Sequence, residues 1–438
     1  MRLIACIFLP FSLGYYLAYL FRTINGLIAS HLNADAGLRI ADLGLLTSVY
    51  FLVFASAQIP IGVLLDRYGP RRIQSALLLV AAAGAGLFAM STDFPALLLG
   101  RAMIGLGVAA SLTAGLKAIV LWFPKERVAL MNGYMVMLGS LGAVTATAPA
   151  EQLLAWISWR QLFVLLAAVT GATAALIYVL VPDRAIALPT SPSHSTLKDV
   201  FRDGRFWRIA PLSATCIGSA WSLQGLWASS WLTEVEGLDR ANLVQQLFIM
   251  SVVLSGGAWL FGTGLHLIRR RRIRAETVLV AAAVLLIAAE LVLILRAPLP
   301  SIMPWSTIAI VGAATVVSFA VISDYFPTEL VGRANGALNV LHFGWAFQAQ
   351  YVTGLILEHW STNDGQRPVM AYQIAFGLNV AVQIVALAWF ALPWMRSLIR
   401  WPGSSPLSMP VTTFDGIQPE IMNKQTALLM PVDDDAQW

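Results

Sequence analysis

Apolar residues run along this chain in blocks too long and too unbroken for the interior of a soluble domain. A helix needs about 20 mostly apolar residues to cross a bilayer core. Cutting the sequence at its charged and Pro/Gly/Asp-rich joints leaves twelve such blocks, at 8–31, 42–65, 72–91, 95–122, 129–151, 159–182, 206–233, 244–268, 275–296, 301–325, 332–358 and 369–394. The fifth and eleventh are the most polar, with glycine and polar side chains throughout. The pattern predicts an all-α integral membrane protein of twelve transmembrane helices.

Composition agrees, since 58% of residues are hydrophobic and 12% charged, with a mean hydropathy of +0.73. A soluble domain carries about 25% charged residues. The net charge of +5 does not point to nucleic acid, because the cations sit in short joints rather than on one polar face. They also alternate. Arg67, Arg71 and Arg72, Lys125 and Arg127, Lys198 to Arg208, and Arg269 to Arg272 fall on one side, against single arginines at 39, 160, 240, 296 and 367 on the other. This bias predicts a cell (inner) membrane protein with both termini cytoplasmic. The start, Met1 to Cys6, has no small-residue cleavage site after it and reads as the lead-in to the first span. Cys6 and Cys216 are far apart in apolar segments and imply neither a disulfide framework nor a metal site.

The stretch 183–205 carries Pro189, Pro192 and several serines, the composition of a linker. It divides the chain into an N-terminal six-helix bundle (1–182) and a C-terminal one (206–394). A polar tail, 395–438, has the composition of disordered sequence. The two halves repeat. Gly62, Leu65, Arg71, Arg72 and Ile73 recur as Gly262, Leu265, Arg271, Arg272 and Ile273. Phe123-Pro124-x-Glu126 with Asn132-Gly133 recurs as Phe326-Pro327-x-Glu329 with Asn335-Gly336. Paired halves around a central site are the architecture of alternating-access carriers.

The joint between the second and third spans reads Gly62-Val-Leu-Leu-Asp66-Arg67-Tyr68-Gly69-Pro70-Arg71-Arg72. It resembles the G-x-x-x-D-R-x-G-R-R loop of the major facilitator superfamily. The resemblance implies that fold, two pseudo-symmetric six-helix bundles. It also implies a gating role for Asp66, Arg67, Gly69, Arg71 and Arg72. Topology signals alone would explain the cations but not the acid or the glycines. Asp66 is expected to accept charge-assisted hydrogen bonds across the interface of the halves. In the second copy His266 replaces it.

Gly100-Arg101-Ala-Met-Ile-Gly105-Leu-Gly107 resembles the superfamily's R-x-x-x-G-x-G helix, which makes Arg101 a candidate for proton coupling. Snorkelling of Arg101 to the interface is the plainer alternative, and the glycines suit close helix packing. Lys117, on the same span, reads as structural. Glu290 in the ninth span is the other coupling candidate, although a hydrogen-bonded structural carboxylate is the plainer reading. The seventh span presents Trp221, Gln224, Trp227 and Trp231 on one side, and the eleventh presents His342, Trp345 and Gln348. Packing and ligand contact suit either stripe.

In the first span Tyr15, Tyr19, Arg22 and Gly26 form one stripe flanked by Asn25. The run Tyr19-Leu-Phe-Arg22-Thr-Ile-Asn25 resembles the Y-x-x-R-x-N segment of superfamily members that carry organic anions. The resemblance implies that Arg22, helped by Tyr19 and Asn25, holds a small organic anion such as a carboxylate, with snorkelling of the long side chain toward the outer surface as the alternative. Trp221, Gln224, Trp345 and Gln348 would face it from the other half. A buried guanidinium favours an anion over a neutral solute.

The expected activity is secondary transport, with proton coupling left open. The expected partners are a small anionic solute and the lipid bilayer, for a monomer with no cofactor and no nucleic acid. A drug/proton antiporter is the alternative, disfavoured because Gly133, Gly139, Gly142 and Ala148-Pro149 stand where such members carry G-P-x-x-G-G. No phosphate-cradling loop, metal cluster or hydrolase signature supports a membrane enzyme. A non-transporting sensor would be expected to append a soluble domain.

Overall fold

The computed structural model describes residues 3–183, 197–270, 274–360 and 367–392. Most of the expected linker (184–196), residues 271–273 of the second repeat copy and the expected tail from 393 onward lie outside the described residues. The described residues are almost entirely helical, and no strand occurs among them. Each expected segment falls on helix. They are labelled α1 (Ile4–Asp35), α2 (40–68), α3 (70–90), α4 (Phe94–Trp122), α5 (Lys125–Thr145), α6 (Trp159–Leu180), α7 (204–234), α8 (Arg240–Arg270), α9 (Ala275–Ile294), α10 (Ile302–Tyr325), α11 (Thr328–Glu358) and α12 (Val369–Ala391). Nine helices among the described residues are long and apolar enough to cross a membrane, one of them the continuous Ile40–Met90. The more polar α7 and α11 are not among those nine.

The charged joint after α2 is shorter than the sequence suggests. Helix continues through Asp66 and Arg67, and only Gly69 leaves it, at φ 83° and ψ 162°. A positive φ favours glycine, and Pro70 then opens α3 with its φ already fixed for helix. The turn therefore takes one residue. Other departures from plain α-helix also have local causes or local signatures. α5 ends at Thr145, and Pro149 opens a separate short helix, Ala148–Leu154. α4 and α10 break at matching places, near Ala109–Ala110 and Ala313–Ala314. Wider π-helical turns occupy Ile4–Phe8 and Leu223–Trp227.

Each half packs around aromatic residues. On the N-terminal side Phe88 lies 4.5 Å from Phe163 and 5.7 Å from Trp159 between ring centroids. On the C-terminal side Trp231 stacks on Phe376 at 5.4 Å. Small residues bring neighbouring helices close, as where a Cβ on Gly107 of α4 would run into the Ala81 nitrogen of α3.

The halves are joined firmly on the side carrying Arg39 and Arg240. Arg240, at the start of α8, donates from Nε and Nη2 to the two carboxylate oxygens of Glu151 at 2.7 and 2.5 Å. It also donates to Ser30 Oγ at 3.3 Å and to the Leu27 carbonyl at 3.0 Å. Arg39 pairs with Glu358 at 3.0 Å. Below these pairs the backbones come close, since a Cβ on Gly26 would come within 3.1 Å of the Gly225 carbonyl oxygen, and one on Gly44 would lie 3.4 Å from Gly354 Cα. Deeper still, Phe54 stacks on Phe343 at 4.0 Å.

Candidate functional site

Arg22 lies where α1 meets α7, half-buried between aromatic faces. Its guanidinium carbon is 4.2 Å from the Tyr19 ring centroid and 5.0 Å from that of Trp221 in the other half. Cation–π contacts of this kind are worth about 0.5–2 kcal/mol and grow as water is excluded. They hold the charge without neutralising it. Arg22 has no ion-pair partner among the described residues. Trp221 is held in turn, because its Nε1 donates to the Gly312 carbonyl at 3.0 Å while its ring packs on Phe343 at 4.7 Å. One face of the indole is thereby presented to Arg22.

A second guanidinium lies within the N-terminal half. Arg101 of α4 is fully buried, 4.9 Å from the Tyr50 ring centroid. Asn25, itself 1% exposed, accepts from Arg101 Nε and Nη2 at 3.1 and 3.3 Å once its amide oxygen faces the guanidinium. The opposite amide orientation would set donor against donor. Arg101 Nη1 has no partner among the described residues. Asn25 thus serves the buried cation beside the candidate site. Together Arg22 and Arg101 make the N-terminal wall of the site electropositive, an arrangement that favours anions.

The C-terminal half holds a directional polar chain. Trp345 Nε1 donates to Ser219 Oγ at 2.9 Å, and that hydroxyl donates to Asn379 Oδ1 at 2.8 Å. Asn379 Nδ2 and Gln383 Nε2 both donate to the fully buried Glu290, at 2.9 and 2.5 Å. Trp345 is therefore turned toward α7 and α12. Gln348 is exposed, whereas Gln350, two residues on, is fully buried between the halves. Helical geometry puts Gln350 roughly 200° around from Gln348, so the stripe read from the sequence passes it by.

The residues expected to gate are brought together, with partners the sequence did not indicate. Asp66 accepts from Lys117 Nζ at 2.6 Å, within its own half rather than across the interface. Arg71 donates from Nε to the Tyr178 carbonyl at 2.9 Å, and Arg72 pairs with Asp183 at 2.7 Å. Asp183 and α6 thus clamp the α2–α3 turn. The Arg67 guanidinium stays beside Tyr68, at 5.2 Å.

The sequence matches the model of the Major Facilitator Superfamily over residues 11–349. The chain belongs to this superfamily. It is 23% identical to the hexuronate transporter of Escherichia coli K12 over 406 residues, covering 85% of this chain and 91% of that one. A shorter stretch is 36% identical over 115 residues to the nitrate/nitrite transporter of a Picosynechococcus strain, 26% of this chain and 21% of that protein's length. In structure it is similar to a bacterial homolog of the human lysosomal transporter Spinster, in an inward-facing and unoccupied conformation. The TM-score is 0.72 at 19% identity, covering 91% of this chain and 98% of that one. The superfamily chain described here thus groups with transporters rather than enzymes.

Proposed function

We propose that this superfamily member is a secondary transporter of a small organic anion, such as a carboxylate, working by alternating access. The observation that carries this reading is Arg22, a half-buried guanidinium between Tyr19 and Trp221 with no carboxylate of its own. A cation left without a counter-ion at the junction of two halves is a place for an anion supplied from outside. A carboxylate would meet the planar guanidinium through two parallel hydrogen bonds. The names of the hexuronate and nitrate/nitrite transporters support a negatively charged cargo. The alternating cations of the joints support an inner-membrane location with both termini cytoplasmic. The pairs that Arg240 and Arg39 make across the halves support a seal on the outer side.

The test is counterflow of small carboxylates in vesicles containing the purified protein, with and without an imposed proton gradient. Arg22→Lys should keep part of the uptake, and Arg22→Ala almost none at equal protein density. Wild-type kinetics in Arg22→Ala, or a cationic substrate, would overturn the reading. Acceleration by the proton gradient would assign coupling.

A further inference from the structure

A cavity of about 280 Å³ lies away from Arg22, at the end of the C-terminal half that also carries Arg240 and Arg367. It opens between the last turns of α7 and α9 and the start of α10, where Glu236, Arg296 and Ser301 give it polar walls. Arg296 closes α9. Its amide donates to the Leu293 carbonyl and that of Ala297 to the Val292 carbonyl, both at 3.1 Å. This is the bonding pattern of a helix end that ordinarily takes glycine at the closing position. Arg296 instead stands there at φ 52°, the one non-glycine residue with positive φ among the described residues. Such strain persists where the surroundings over-determine it, and it gathers at ligand clamps.

The guanidinium is not neutralised. Its Nη1 reaches the Val235 carbonyl at 3.4 Å, a long bond, and no carboxylate pairs with Arg296 among the described residues. Glu236 follows Val235 and lines the same cavity. One of its oxygens accepts from Trp231 Nε1 at 2.7 Å, which leaves the other open. A cation and an anion thus face one cavity and stay apart. Beside them Leu295 and Leu299 are 74% and 51% exposed, apolar surface of the kind a bilayer covers.

We propose that this cavity binds the headgroup of a phosphatidylethanolamine, with the phosphate on Arg296 and the ammonium on Glu236. Each end of the zwitterion finds its counter-charge, and the exposed leucines meet the acyl chains. A guanidinium takes two phosphate oxygens through parallel hydrogen bonds. Glu236 takes an N–H donor, which a primary ammonium has and a quaternary choline lacks. Choline would seek an aromatic face instead. Trp231 offers none, because its ring is 1% exposed and Phe376 stacks on it at 5.4 Å.

The test places the full-length protein, carrying Ser301→Cys, in phosphatidylglycerol nanodiscs that also contain either phosphatidylethanolamine or phosphatidylcholine. An occupied cavity shields the introduced thiol in proportion to occupancy, so labelling should be about fivefold slower with the ethanolamine lipid than with the choline lipid. Glu236→Gln, which keeps an acceptor for Trp231, should remove that difference. Arg296→Gln should restore fast labelling with both lipids. Equal rates in the Ser301→Cys parent would overturn the proposal whether or not the further variants fold. An unchanged difference in folded Glu236→Gln or Arg296→Gln would do so as well. Equal shielding by free O-phosphoethanolamine in nanodiscs of phosphatidylglycerol alone would make the ligand a soluble zwitterion and overturn the lipid assignment. None of these outcomes bears on Arg22.

Discussion

Lys117 Nζ sits 2.6 Å from Asp66 Oδ1 and 2.7 Å from the Leu65 carbonyl oxygen, fastening α4 to the end of α2. Asp66 is 80% exposed and Lys117 23%, so the pair contributes at most about 1 kcal/mol to folding. Its expected importance lies in transport. Asp66→Asn should shift the melting temperature by no more than about 3 °C while slowing uptake. Exchanging the two charges in Asp66→Lys with Lys117→Asp should recover part of the rate. Undiminished uptake by well-expressed Asp66→Asn would remove the turn from the transport cycle.

The contact that Arg240 makes between the halves gives a population prediction. Arg240 grips Glu151 through two charge-assisted bonds and also reaches Leu27 and Ser30. Arg240→Gln removes the charge and the fork, and a loss of about 1.4 kcal/mol would change the ratio of closed to open outer sides tenfold. A cysteine placed at Thr23, which lines the crevice beside this contact, should then react faster with a membrane-impermeant thiol reagent than in the Arg240 parent. Equal labelling rates would show that the seal does not depend on this contact.

Glu290 is the acceptor for two amide donors, from Asn379 and Gln383. Replacing it with Leu leaves both N–H groups unpaired, at a cost of about 1–3 kcal/mol each. Glu290→Leu should lower the melting temperature clearly more than Glu290→Gln, which keeps one acceptor. If the two variants melt together, the carboxylate is not what organises α7, α9 and α12.

Gly107 tests the packing inside the N-terminal half. A methyl group there would run into the Ala81 backbone nitrogen and lie 2.5 Å from its Cβ, and backbone cannot rotate away as a side chain can. Gly107→Ala should cost about 1–3 kcal/mol by overpacking, read as a lower melting temperature. Gly133→Ala, with open space around the glycine, should be near neutral by comparison. Equal melting of the two would contradict the close approach of α3 and α4.

Helix positions were legible because apolar block length is a one-dimensional quantity, and each block fell on helix. The ends were less so. The charges at Asp66 and Arg67 suggested a loop, yet a helix can carry charge on its last turn when that turn faces a polar surface, and only Gly69 had to break. The approach of Trp221 to Arg22 followed from two separate stripes that shared an expected depth. The Lys117–Asp66 pair did not, because 51 residues separate them and nothing local ties a lysine on one span to the end of another. Gln350 escaped notice because its burial comes from Gly225 and Gly44, on two other helices.

The meeting of Gly26 and Gly225 bears on how the two halves find one register. Two glycine backbones that approach this closely have no rotamers to search, so their contact is fixed by shape alone. Long side chains are different, since each gives up rotamer freedom when it finds its partner. The glycines thus define the geometry of the junction, and the Arg240–Glu151 pair adds strength to a fit that is already set.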